Sequence, residues 1–227
     1  MFDSVALAIQ EFAKKTPDKT ALIVGQEHCS YEKLAKKSRQ AARFLLEKGI
    51  AAGDRIVVEA DHTLDYVYLW YGIQLLGATF VPLEKNSPSA RMIEIAQELD
   101  AKQIISLCER DDMPDFWALS RIMPAIDEMP DDYQASAPDP GSLSEILFTT
   151  GTTGKSKGVM VSYKNQMTIA QAGIETINIQ TDNIWLIPTP MNHAAALRKV
   201  HIAMAVGSTT VLLEGFKNFK LFFKLYF

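Results

Sequence analysis

Within Thr149-Thr150-Gly151-Thr152-Thr153-Gly154-Lys155-Ser156-Lys157-Gly158, three glycines, four threonines and two lysines fall in ten residues. Glycine lets the backbone take positive φ and turn consecutive N–H groups onto one anion, threonine hydroxyls donate further hydrogen bonds, and lysine adds charge. That combination serves to grip phosphate, and the polyphosphate of ATP is its natural guest. A surface turn without a ligand is the competing possibility, since Gly and Thr are ordinary turn residues. The density of donors argues against it.

A Walker P-loop places a glycine five residues before its Gly-Lys pair and enters a helix at once. Gly154-Lys155-Ser156 fits the end of that pattern, but counting back five from Gly154 reaches Thr149, and Val159-Met160-Val161 reads as a strand. Apolar Ile146-Leu147-Phe148 on one side and Val159-Met160-Val161 on the other predict an exposed Gly/Thr-rich loop over 151–157 joining two strands. A second constellation, Pro188-Thr189-Pro190-Met191-Asn192-His193, reads as a strand end, a proline turn and a helix start. In open α/β sheets such turns line the ligand crevice.

The elements that must position these groups alternate as helix and strand, which predicts an α/β chain with a mostly parallel sheet and crossover helices. Ser4 caps a helix carrying Val5, Ile9 and Phe12; Ala21–Val24 is a strand; Ser30 starts a helix that stops at Gly49. Strand Arg55–Val58, helix Tyr66–Leu76, strand Ala78–Leu83, a helix opened by Ser87-Pro88 and strand Gln103–Leu107 follow. The acidic stretch Glu109–Glu128 shows weak pattern, and 129–142 is linker-like. Beyond the loop come a helix capped by Asn165 and running to Ile177, strand Ile184–Ile187, helix His193–Val206 ending at Gly207, and strand Thr209–Leu213.

Phe148 to Gly158 resembles the phosphate-binding signature of the adenylate-forming superfamily, which includes acyl-CoA synthetases, peptide-synthetase adenylation domains and beetle luciferases; Ser156 departs from its usual proline. Ser30-Tyr31-Glu32-Lys33-Leu34, Gly53-Asp54-Arg55 and Gly77-Ala78-Thr79-Phe80-Val81-Pro82-Leu83 resemble that family's N-terminal order of elements. The resemblance implies that a substrate carboxylate attacks the α-phosphorus of ATP, giving acyl-AMP and pyrophosphate, with Mg²⁺ on the phosphates and transfer to coenzyme A. By it Thr149, Thr150, Gly151, Thr152, Thr153, Gly154 and Lys157 surround the β- and γ-phosphates, and His193 borders the acyl pocket. A capping or core histidine is the alternative for His193; His28, His62 and His201 receive no role. Amino-acid-activating members carry an aspartate near this histidine to pair the substrate's α-ammonium. Met191-Asn192-His193 offers none, which tilts the expected partner towards a fatty, aromatic or other plain carboxylic acid.

A net charge of −4 without aromatic-basic interleaving argues against a nucleic-acid surface. Cys29 and Cys108 form no metal-spaced pair and read as idle thiols of a reducing, cytoplasmic compartment. Residues 66–83 are uncharged, but Gly72, Gln74, Gly77 and Pro82 make them a buried helix and strand rather than a transmembrane span. The family's later adenine, ribose and catalytic-lysine motifs do not occur before Phe227, so residues 1–227 are expected to be one incomplete AMP-binding domain without catalytic residues of its own or the C-terminal catalytic domain. In 216–227, lysines 217, 220 and 224 alternate with aromatics, the pattern of a core helix short of partners, or of a cationic amphipathic helix, and a candidate for self-association. A dead nucleotide-binding fragment and an unrelated NTP hydrolase are the alternative functions. The chain alone is therefore expected to give no measurable carboxylate-dependent pyrophosphate exchange; robust turnover that disappears in Lys157→Ala would contradict the reading of it as incomplete.

Overall fold

The computed structural model describes residues 2–149 and 156–215; Thr150, Gly151, Thr152, Thr153, Gly154, Lys155 and the aromatic tail lie outside them. Helix α1 (Val5–Lys15) starts on Ser4, whose Oγ accepts from the Leu7 N–H, satisfying one of the donors a helix leaves free at its start. Strands β1 (Thr20–Val24) and β2 (Glu27–Ser30) form a hairpin, and Ser30 then caps α2 (Tyr31–Glu47). Next come β3 (Arg55–Glu59), α3 (Leu64–Leu75), β4 (Thr79–Leu83), α4 (Ser89–Glu98) and β5 (Gln103–Ser106). The stretch read as weak and acidic holds β6 (Phe116–Ala118) and α5 (Leu119–Asp127). After 129–142, which is neither helix nor strand, follow β7 (Leu143–Thr149), β8 (Lys157–Ser162) and α6 (Tyr163–Ile177). Strand β9 (Ile184–Ile187), α7 (Ala194–Val206) and β10 (Thr209–Leu212) complete the order. The cap of α6 is Ser162, not Asn165: the Asn165 N–H is the donor that the Ser162 hydroxyl accepts.

These strands build two sheets. One has the order β2-β1-β10-β9 and is parallel except for the β1/β2 hairpin; the other has the order β6-β5-β3-β4-β7-β8 and is parallel except for β7/β8. The helical layer lies between them, since one core cluster joins Leu22, Ile187 and Leu212 of the first sheet to Ile56, Val58, Phe80 and Leu147 of the second through residues of α1, α2, α3, α6 and α7. Alternation along β3 and β4 sends Val57 and Val81 to the opposite face, where Met92 and Ile95 of α4 cover them.

Helix α3 is buried on every side except at Asp65, which explains the uncharged run. At 1.5 Å per residue it is about 18 Å long, well short of a ~30 Å hydrocarbon core. Among the described residues no helix is long and apolar enough to cross a membrane. The α2–α3 crossing is close because Gly72 has no side chain: a Cβ there would stand 2.5 Å from the Ala41 Cβ and 3.1 Å from the Ala42 nitrogen. Gly72→Val is expected to lower stability by roughly 2–4 kcal/mol, at or above the usual range for overpacking because backbone as well as side chain obstructs it. A urea midpoint unchanged from wild type would refute this account of the crossing.

Candidate functional site

Parallel strands in both sheets bring their C-terminal ends to one edge, and two adjoining cavities open there. The first, of about 210 Å³, is lined by residues that follow β3 (Ala60, His62), β4 (Lys85), β9 (Pro188, Pro190–Asn192) and β10 (Glu214, Gly215). The second, of about 190 Å³, is lined by the end of β4 and the start of α4 together with Phe148, Thr149 and Ser156 at the base of the Gly/Thr loop. Asn192 belongs to both linings. It is 7% exposed, and its buried Oδ1 has no hydrogen-bond partner.

Around the Gly/Thr loop, β7 and β8 pair antiparallel, with Phe148 opposite Gly158 and Thr149 opposite Lys157. That is the strand context expected from the apolar flanks. The Ser156 hydroxyl donates to the Thr149 carbonyl at 2.6 Å and the Thr149 hydroxyl to the Lys157 carbonyl at 3.4 Å, closing the neck of the loop. Gly158 is bare because the Phe148 ring and Ile146 lie across it: a Cβ would meet Ile146 Cγ2 at 2.9 Å and Phe148 Cζ at 3.3 Å. Thr149 and Lys157 are both exposed. Of the loop residues named from sequence, Thr150, Gly151, Thr152, Thr153 and Gly154 lie outside the described residues.

The Pro188–His193 turn is fixed by backbone acceptors. His62 Nε2 lies 3.0 Å from the Thr189 carbonyl, and the Tyr66 hydroxyl donates to the Met191 carbonyl at 2.9 Å. Burial holds the Tyr66 phenol well above its ordinary pKa, so it stays a neutral donor. His193 caps α7 through its backbone, its carbonyl accepting from the Ala196 and Leu197 N–H groups. Its imidazole is exposed and sits on neither lining; the residue beside it, Asn192, is the one that borders both cavities. His62, given no role from sequence, stands on the first lining. Cys29 is buried and Cys108 exposed, so only one of the two thiols is sequestered.

Charges pin the same edge. Lys85 Nζ donates to Asp61 Oδ1 at 2.9 Å and Glu214 Oε1 at 2.8 Å, joining the ends of β3, β4 and β10 and therefore the two sheets. Hydrogen bonds to Glu214 and then Asp61 push its pKa up to about 12. Beneath, Glu59 is 2% exposed and saturated: it accepts from the Asn86 and Leu107 N–H groups and pairs with Arg110 at 2.7 Å. Glu59, His62 and Lys85 escape motif reading, but all sit at or just past the carboxyl ends of parallel strands, where such a sheet binds ligands, and Arg91 stands in the first turn of the helix that follows β4.

With this geometry in view, comparison decides the family. The family described as AMP-binding enzyme matches residues 9–226. This chain belongs to that family. Among curated relatives it is 28% identical over 207 residues to bacitracin synthase 1 of Bacillus licheniformis, covering 90% of this chain and 4% of that protein. It is 28% identical over 209 residues to nonribosomal peptide synthetase 8 of Aspergillus fumigatus, covering 88% of this chain and 2% of that one. The N-terminal domain of FACL13 from Mycobacterium tuberculosis superimposes with a TM-score of 0.87 at 22% identity, covering 96% of this chain and 59% of that chain. VinN in complex with 3-methylaspartate gives 0.87 at 21%, covering 96% and 64%. The chain thus has the fold of the N-terminal part of adenylate-forming enzymes and spans a small share of these two curated relatives.

A pKa raised on folding means that the Lys85 clasp stabilises fully below about 10.5 and is lost as pH rises through 12. Lys85 is 39% exposed, so solvent screens it and the total is expected to stay below ~1 kcal/mol. The stability difference between wild type and Lys85→Met, read from urea curves, should be flat to pH 10 and shrink above it; a difference that grows with pH would reject the clasp. Glu59→Ala is expected to cost more, roughly 3 kcal/mol, because it strands the part-buried Arg110 and two N–H groups.

Proposed function

We propose that this chain is the nucleotide-gripping part of an enzyme that activates a carboxylic acid as its acyl-adenylate. The observation that carries the reading is the meeting, at one edge, of the Thr149/Ser156 neck with the Pro188–Asn192 turn, so that polyphosphate and acyl group have adjoining places. In the reaction a carboxylate oxygen forms a bond to the α-phosphorus, the bond from that phosphorus to the bridging oxygen breaks, and pyrophosphate leaves with the electron pair. Thr149 and Lys157, with Thr150, Gly151, Thr152, Thr153 and Gly154, are assigned to the β- and γ-phosphates, where hydroxyls, N–H groups and an ammonium offset charge that shifts onto the leaving group. Mg²⁺ is assigned to the phosphate oxygens, since the ion usually keeps several waters and takes few protein ligands.

His193 is assigned to the border of the acyl side, one residue from Asn192. The lack of a carboxylate in Met191-Asn192-His193 favours an acid without a free α-ammonium, and coenzyme A is the proposed acceptor. A second reading has its own support: likeness to a nonribosomal peptide synthetase favours an amino-acid substrate. Coverage of 59% and 64% of the two solved chains supports taking residues 1–227 as one part of a larger adenylating unit; the cytoplasm is its proposed compartment.

The test is pyrophosphate exchange by the complete product of the gene encoding this chain, against fatty, aromatic and amino acids. Acid-dependent exchange is expected, falling about a hundredfold or more in Lys157→Ala. Acid-independent release of phosphate from ATP would instead favour an NTP hydrolase.

A further inference from the structure

We propose that Arg91 is a polyphosphate-binding residue, whose guanidinium beside the neck of the Gly/Thr loop takes a phosphoryl oxygen at the pyrophosphate end of the nucleotide. This rests on the adenylating reading and adds a residue from outside the phosphate loop. Arg91 lies in the first turn of α4 and is the one cation among the described residues lining the 190 Å³ cavity, with Phe148, Thr149 and Ser156 on the same lining. Its Cζ is 5.7 Å from the centroid of the Phe148 ring. Stacking on an aromatic face restrains the guanidinium while leaving its N–H edge free for a planar, two-point grip on phosphate.

The present partner of Arg91 is weak and replaceable. Nη1 donates to Glu94 Oε2 at 2.7 Å, in a pair whose side chains are 32% and 63% exposed. Such pairs contribute little, and four of the five guanidinium N–H donors remain. Helix α4 has no side-chain cap and no acidic residue in its first turn, so a cation stands at the positive end of the helix dipole. A polyphosphate reverses that unfavourable interaction. Asn192 on the same lining is 93% buried (7% exposed) with its Oδ1 unpartnered; an amide oxygen only accepts, so it suits the water shell of a Mg²⁺-bound ligand and not a phosphoryl oxygen itself. Glu84 also lines the cavity and opposes a bare anion, so the site should favour the Mg²⁺-bound form of its ligand.

Calorimetric titration of the complete product of the gene encoding this chain with Mg²⁺-pyrophosphate and Mg²⁺-ATP tests this. Arg91→Ala is expected to weaken both ligands about tenfold to a hundredfold, with partial recovery in Arg91→Lys. Glu94→Gln, which frees the guanidinium and leaves the fold's interior untouched, is expected to bind at least as tightly as wild type. Wild-type affinity in Arg91→Ala, or weaker binding in Glu94→Gln, overturns the proposal. If Lys157→Ala weakens binding while Arg91→Ala does not, the role of Arg91 falls and the adenylating reading stands. No binding of either ligand by the wild-type complete product sinks both.

Discussion

Two sheets can share one layer of helices only if the helices offer apolar surface towards both. Helix α3 meets this demand most severely, with every residue but Asp65 buried between strands and other helices. Its aromatic side chains do the filling: Trp70 stacks on Tyr71 and Phe80 at 4.7 and 5.4 Å between centroids, and the Tyr66 ring packs tilted against Phe80. Large rings leave little room for adjustment, so the α2 crossing must be close, and Gly72 makes it so. Parallel strands follow from the same layer, because each crossover helix returns the chain to the same end of its sheet. The shared edge, and both cavities on it, are consequences of that packing.

The layer is not wholly apolar. His201 Nε2 lies 3.3 Å from Glu145 Oε2 and 3.2 Å from Gln166 Nε2, with the imidazole 5.0 Å from the Trp70 ring. These buried groups join β7, α6 and α7, the strand that leads to the Gly/Thr loop and the helix that follows the Pro188–His193 turn. Hydrogen bonds inside a core are directional where dispersion is not, so they favour one register between those elements. The edge repeats the device with charge, in Glu59–Arg110 below and Lys85 above.

Much of this was legible in sequence wherever a local rule and the tertiary demand agreed. Ser4 and Ser30 serve as helix caps because a serine before an apolar-periodic run has the same task in isolation and in the fold. Helix α5 was hidden because Pro124 lies inside it and proline argues against helix; burial of Leu119, Ile122, Met123 and Ile126 outweighs that cost. Strand β2 is short, exposed at Glu27 and His28, and owes its state to pairing with β1 rather than to its own residues. At the site, the Gly/Thr run and the proline turn announce themselves by composition. Asn192, His62 and Lys85 do not, since their importance comes from where strands end, which only the assembled sheet specifies.

The hairpin setting of the phosphate loop carries an electrostatic cost that the rest of the edge has to meet. A Walker loop ends in a helix whose dipole and free N–H groups face the phosphates. Here the chain passes through β8 first, and α6 begins at Tyr163, six residues beyond Lys157 and roughly 20 Å along an extended strand. The Ser162 hydroxyl already takes one of the donors at that helix start. The helix that directly follows the hairpin, α6, is therefore not close enough to offset a polyphosphate, and the hairpin has to rely on side chains for positive charge. Lys157 supplies one from within the hairpin. A second can come from a neighbouring element, and the α4 start, which brings Arg91 to the same cavity without an acidic residue in its first turn, offers one.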